Sequence, residues 1–225
     1  MPRLAALAAL GAAAAAATWV VLDPSNSGLP LLLAALGLLV AGTAWLETGP
    51  DAAKEIVLVA TLAAVAAAGR VLFVAIPGVQ PVTVITVAAG AALGPRAGFA
   101  TGALAALASN FFLGQGPWTP WQMLGWGACG LAGAFLAPLI RRRRAAFAAV
   151  CFVLGFAFSA LMDLWLWVSF WPHTWQALTV VFGQGFSFEA AHAIGNVVIA
   201  LAIGPELLRL LERYSRRLRT EVVWA

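Results

Sequence analysis

Apolar stretches long enough to cross a bilayer, each closed by a helix breaker, constrain this chain more than any other feature. A membrane-spanning helix needs about 20 mostly apolar residues. About eight segments qualify, some with little to spare: 4–22, 29–46, 55–76, 81–94, 97–113, 121–140, 145–170 and 187–210. Between them stand Asp23-Pro24-Ser25-Asn26, Thr48-Gly49-Pro50-Asp51, Ile76-Pro77-Gly78, Gly94-Pro95-Arg96, Gly114-Gln115-Gly116-Pro117 and the run Arg141–Arg144. Gly, Pro and Asn/Asp clusters of this kind mark turns and loops. The fourth segment is short and rich in Val and Thr. Residues 172–186 read as a loop with a short interfacial piece, because they are polar and punctuated by glycine.

Composition points the same way. The chain is 63% hydrophobic and 10% charged, with a mean hydropathy of +0.94, against about 45–50% and 25% in soluble domains. A soluble fold of 225 residues cannot hide so much apolar surface. The expected fold is therefore all-α, a polytopic membrane helical bundle. Its expected parts are two additional N-terminal helices (1–50), a six-helix core (51–212) and a basic cytoplasmic tail (213–225). The first segment also resembles a signal peptide, with Arg3 before an Ala-rich core. A second apolar segment follows at once, so a retained helix is expected.

Positive charge sets the orientation. With the N-terminus inside and eight spans threaded, the inner segments hold Arg3, Lys54, Arg96, Arg141 to Arg144, Arg213, Arg216, Arg217 and Arg219. The outer loops 23–28, 77–80, 114–120 and 171–186 hold no Lys or Arg. This is the positive-inside distribution, and it places both termini in the cytoplasm of a bacterial cell membrane. The same distribution explains the formal charge of +4 without nucleic acid. Most of the ten tryptophans, among them Trp118, Trp121, Trp165, Trp167, Trp171 and Trp175, fall near the outer ends. An interfacial belt is one reading; an aromatic-lined outer cavity is the other.

Ionisable groups inside a span are costly and need partners or water. Arg70, Asp163, Glu189 and His192 all fall at similar depth towards the outer face. One reading is a structural ion pair, Arg70 with Asp163 or Glu189. The other is a water-accessible binding pocket, favoured because Glu189, His192 and Asn196 follow i, i+3, i+7 and share one helical face. Asn110, Gln115 and Gln122 add uncharged donors and acceptors at that depth. Gly90, Gly94, Gly98 and Gly102 recur every four residues, as do Ala60, Ala64 and Ala68, and small-xxx-small faces let helices approach closely. Pro95 divides the glycine series between two helices.

Several chemistries lack their motifs. There is no GxxxxGK[ST] phosphate loop, no HExxH and no GxSxG. Cys129 and Cys151 lie in apolar runs without a CxxC, and there are two histidines, so neither a disulfide nor a metal site is expected. No cofactor is expected either.

Between about Ile56 and Leu208 the chain resembles the substrate-binding S component of energy-coupling factor (ECF) transporters, in its actinobacterial branch. The residues carrying the resemblance are the Ala-rich helix ending Ala68-Gly69-Arg70, the loop Ile76-Pro77-Gly78-Val79-Gln80-Pro81, the turn Gly94-Pro95-Arg96-Ala97-Gly98, the run from Ser109 to Met123, and His192-Ala193-Ile194-Gly195-Asn196. The resemblance implies a protein that captures a vitamin or related micronutrient at the outer face. It implies ATP hydrolysis on two separate ATPase subunits, and docking of Ala60, Ala64 and Ala68 on a transmembrane coupling subunit. The substrate-binding residues then expected are Arg70, Asn110, Gln115, Trp118, Trp121, Gln122, Asp163, Trp167, Glu189, His192 and Asn196. The chain does not begin with the Met-His of nickel and cobalt members, and its many tryptophans suit a ring-bearing organic ligand; branch resemblance leans to a corrinoid. The competing expectations are a structural membrane subunit without a ligand, an outer-face enzyme using Asp163, Glu189 or His192, and an autonomous secondary transporter.

Overall fold

The computed structural model describes residues 52–218 continuously, with scattered helical positions between residues 8 and 44. The expected spans at 4–22 and 29–46 and the end of the basic tail lie outside the continuously described part. Among the described residues the fold is all-α: α1 (Ala52–Leu72), α2 (Val82–Leu93), α3 (Pro95–Leu113), α4 (Thr119–Phe135), α5 (Ala137–Ile140), α6 (Arg144–Phe170) and α7 (Trp175–Leu218). Three of them, α1, α6 and α7, are long and apolar enough to cross a membrane.

The breakers act as local chemistry requires. Gly94 adopts φ 102°, a conformation that costs a residue with a Cβ far more, and its N–H caps the Gly90 carbonyl at 3.0 Å. Pro95 then opens α3 at the position where a missing N–H costs nothing. Helix α1 carries Glu55 in its first turn and Arg70 in its last, each matched to the sign of the helix dipole.

Helix α2 departs from the expected span. Its 12 residues rise about 18 Å, against the roughly 30 Å of a hydrocarbon core. Val82 through Ala92 are all buried, with α1, α3, α4, α6 and α7 packed around them. A helix that is apolar on every side lies inside the protein rather than at its surface. Likewise the expected span 121–140 divides at Leu136 into α4 and the single-turn α5.

The largest difference lies at 172–186. The expected loop is only a short turn, and from Trp175 onward the chain is helical through Leu218, with Pro205 inside. Two features account for it. Ala177 and Val181 are buried, so this stretch packs a face against the bundle. Gly185 serves close packing rather than a turn, because a Cβ there would meet the Asp163 carboxylate at 2.5 Å.

Backbone contact between glycines joins α2, α3 and α4. A Cβ on Gly98 would lie 2.6 Å from the Gly130 carbonyl oxygen and 2.6 Å from the Gly90 Cα. Gly90 and Gly98, on either side of Pro95, therefore meet at Gly130, while Gly102 lies against the Trp126–Gly127 backbone. Gly183 has nothing within 4 Å of its Cβ position. Gly98→Ala is expected to lower stability by about 2 kcal/mol through overpacking. Gly183→Ala is expected to raise it by up to about 1 kcal/mol through helix propensity. Paired thermal melts in one detergent check both signs.

The bundle has two chemically distinct ends. Helices α6 and α7 run antiparallel, so Arg144 meets Glu206 while Trp165 to Trp175 gather at the opposite end. The Arg141 guanidinium reaches the Ala91 carbonyl near the end of α2 at 2.7 Å, which places that helix end with the arginines. The C-terminal ends of α1 and α3 lie at the tryptophan end, where Arg70 meets Asn110.

Candidate functional site

Arg70, in the last turn of α1, is buried at 7% exposure. Its Nε donates to Gln80 Oε1 at 3.2 Å, and its Nη1 donates to Ser109 Oγ at 2.7 Å and Asn110 Oδ1 at 2.6 Å. The guanidinium carbon stands 4.8 Å from the centre of the Trp126 ring, a cation–π geometry. From Asn110 the network continues: Nδ2 donates to Thr119 Oγ1 at 2.9 Å and to Gln122 Oε1 at 2.8 Å. The Thr119 hydroxyl in turn donates to Gln115 Oε1 at 2.9 Å. Every one of these partners is neutral. Among the described residues this buried cation has hydrogen bonds but no counter-charge.

A second chain of hydrogen bonds lies behind the first. The Trp126 indole N–H donates to Thr83 Oγ1 at 3.2 Å. That hydroxyl lies 3.4 Å from His192 Nε2, and His192 Nδ1 lies 2.6 Å from the Gly78 carbonyl oxygen. Since a carbonyl only accepts, Nδ1 carries the proton and Nε2 accepts from Thr83. Trp126 also stacks on Phe158, with centroids 4.2 Å apart and planes 16° from parallel. Trp126 thus links Arg70 on α1, Thr83 on α2 and Phe158 on α6.

The seam between α6 and α7 is different. Gly155, Ser159 and Asp163 follow one face of α6; Gly185, Glu189, His192 and Asn196 follow one face of α7. The Asp163 and Glu189 carboxyl groups lie beside each other across this seam. Among the described residues Asp163 Oδ2 and Glu189 Oε1 have no hydrogen-bond partner, nor do Ser159 Oγ and both amide atoms of Asn196. Asn196 is fully buried and packs its Nδ2 where a Cβ on Gly155 would stand, 2.5 Å away. Buried polar groups are normally paired, and leaving one unpaired costs about 1–3 kcal/mol. Five such atoms gather on one seam. The geometry offers a guanidinium for an anion or strong acceptor, and carboxyl and amide groups for donors.

A family model described as "Family of unknown function (DUF6580)" matches residues 50–214. The chain belongs to DUF6580. No curated protein and no solved structure matches it. The part matched in this DUF6580 protein contains every side chain of the two networks and the seam.

Most of the expected site residues converge in the DUF6580 protein. Arg70, Asn110 and Gln122 bond directly, and Gln115 joins through Thr119. His192 joins through Thr83. Arg70 forms no ion pair with Asp163 or Glu189; its Nε and Nη1 donate instead to the neutral groups Gln80, Ser109 and Asn110. Trp118 packs edge-on against Trp165 at 6.1 Å, and the Trp121 indole N–H is buried without a hydrogen-bond partner among the described residues. Trp167 instead ties down the turn after α6, donating to the Pro172 carbonyl at 3.0 Å. Ala60, Ala64 and Ala68 share an exposed stripe of α1, while Ala63 and Ala67 face inward.

Sequence reasoning missed Thr83, Ser109, Thr119, Gln80 and Trp126 as members of the network. A usable signal exists for some of them. Thr83 is one of two hydroxyls, with Thr86, in a helix otherwise apolar, and Ser109 precedes Asn110 at the depth of Arg70.

Proposed function

We propose that this protein is the membrane-embedded substrate-binding component of an ECF-type importer, capturing a vitamin-like micronutrient at the outer face of a bacterial cell membrane. The tryptophan end faces outward, the arginine end and both termini face the cytoplasm, and α2 to α5 complete the core. Chemistry is confined to binding; ATP hydrolysis belongs to separate ATPase subunits, reached through a transmembrane coupling subunit that docks on the Ala60, Ala64 and Ala68 stripe.

The observation that carries this reading is Arg70. A guanidinium buried among Gln80, Ser109, Asn110 and Trp126 without a carboxylate is expensive to maintain in a membrane protein. Unpaired polar atoms of Ser159, Asp163, Glu189 and Asn196 add to that cost. A ligand that meets these groups accounts for both. The tryptophans around them suit a ring-bearing molecule, and a corrinoid is the first to try.

Thermal unfolding of the purified chain against a panel of vitamins and corrinoids, with no partner subunit, tests the proposal. One compound at about 100 times its Kd is expected to add roughly 2.7 kcal/mol of stability. A well-folded sample that no compound shifts would favour a structural subunit instead.

A further inference from the structure

The arginine end contains a feature that solute capture does not use. A cavity of about 320 Å³ opens between the start of α6 and the later part of α7. Its wall carries Arg141, Arg142, Arg143, Arg144 and Arg209 together with Glu212, and Glu206 beside it pairs with Arg209. Its floor is apolar, built from Ile140, Phe147, Pro205 and Leu208. Ion pairs fix the frame: Arg141 Nε to Glu212 Oε1 at 2.7 Å and Arg209 Nη1 to Glu206 Oε2 at 2.7 Å. The side chains of Arg142 and Arg143 have no hydrogen-bond or ion-pair partner among the described residues.

We propose that this cavity binds the phosphodiester headgroup of an anionic membrane phospholipid, with Arg142 and Arg143 as its principal ligands. Depth supports a lipid. Helix α6 is 27 residues long, so it rises about 40 Å, and a span with its tryptophan end at one interface has Arg144 at the other, level with headgroups. The shape supports it as well. A cationic rim over an apolar floor matches a molecule whose phosphate continues into acyl chains, and exposed Leu139 and Leu210 extend the apolar surface beside the rim. Guanidinium groups bind phosphate oxygens in a two-pronged geometry, and basic pockets between helices at this level take anionic lipid headgroups. Topology alone needs positive charge near a span end. It does not need that charge gathered over a concave apolar floor by two helices distant in sequence.

The test uses the full chain in detergent with lipid titrated in and bound lipid counted by native mass spectrometry. Phosphatidylglycerol is compared with phosphatidylcholine. One phosphatidylglycerol is expected to bind in preference, and R142Q/R143Q is expected to weaken it roughly thirtyfold. The charge-matched control K54Q/R217Q, whose residues lie outside the cavity wall, is expected to bind like the parent. Equal losses in the two double variants would mean diffuse attraction and overturn the proposal. Unchanged binding in R142Q/R143Q would overturn it too, leaving an acidic protein segment as the occupant. Displacement of the lipid by millimolar inorganic phosphate would show a free-anion site and would equally contradict it.

Discussion

Replacing Arg70 by methionine is expected to weaken solute binding about a hundredfold while leaving the protein folded. A hydrogen bond to a charged group contributes about 1.5–3 kcal/mol, and Arg70 is the one cation of the network at the tryptophan end. Methionine keeps the apolar stem beside Trp126 and removes the desolvated charge, a change that is often neutral for stability in buried sites. Ser109, Asn110 and Gln80 lose a donor, so a modest decrease of about 2 kcal/mol is expected. Arg70→Lys keeps the charge but not the fork that serves three acceptors at once, and its affinity is expected between the two. Binding titrations with parallel thermal melts separate the effects. Parent-like affinity in the methionine variant would remove Arg70 from the site.

Trp126→Ala is expected to have the largest effect on stability, about 4 kcal/mol, the cost of truncating a fully buried large aromatic side chain. The indole supports three helices at once. It stacks on Phe158, lies under the Arg70 guanidinium and donates to Thr83. Trp126→Phe keeps a ring against Phe158 and Arg70 but leaves Thr83 without its donor. A loss nearer 1 kcal/mol is expected there. Denaturant or thermal unfolding in detergent resolves these two values. A near-zero cost for Trp126→Ala would show that the two networks do not depend on one another.

Hydropathy and breakers made the bundle legible, because a lipid-facing helix must be apolar along its length and Gly94-Pro95 and Gly114 end helices through backbone conformation alone. The same logic misread two places. Helix α2 carries the apolarity of a span in 12 residues because its surroundings are protein. Residues 175–186 carry glycines that resemble loop punctuation, yet Gly185 is small to admit the Asp163 carboxylate. The glycine code is ambiguous in one dimension, since a turn and a close contact require the same residue.

For the site, the spacing of Glu189, His192 and Asn196 placed them on one face, and the structure keeps them there. What spacing does not encode is which neighbour each group meets. Arg70 lies 39 and 40 residues from Ser109 and Asn110, and 10 from Gln80, so its choice of neutral partners over Asp163 or Glu189 depends on helix packing. Trp126 reads as one more core aromatic until Arg70, Thr83 and Phe158 are found around it.

Mass spectrometry of small molecules released from the protein after gentle purification from its native membrane tests the central claim most directly. The account predicts one organic molecule at near-stoichiometric occupancy, absent from the Arg70→Met variant prepared in parallel. Release of no molecule, or of the same molecule in equal amount from the variant, would contradict a solute site built on Arg70.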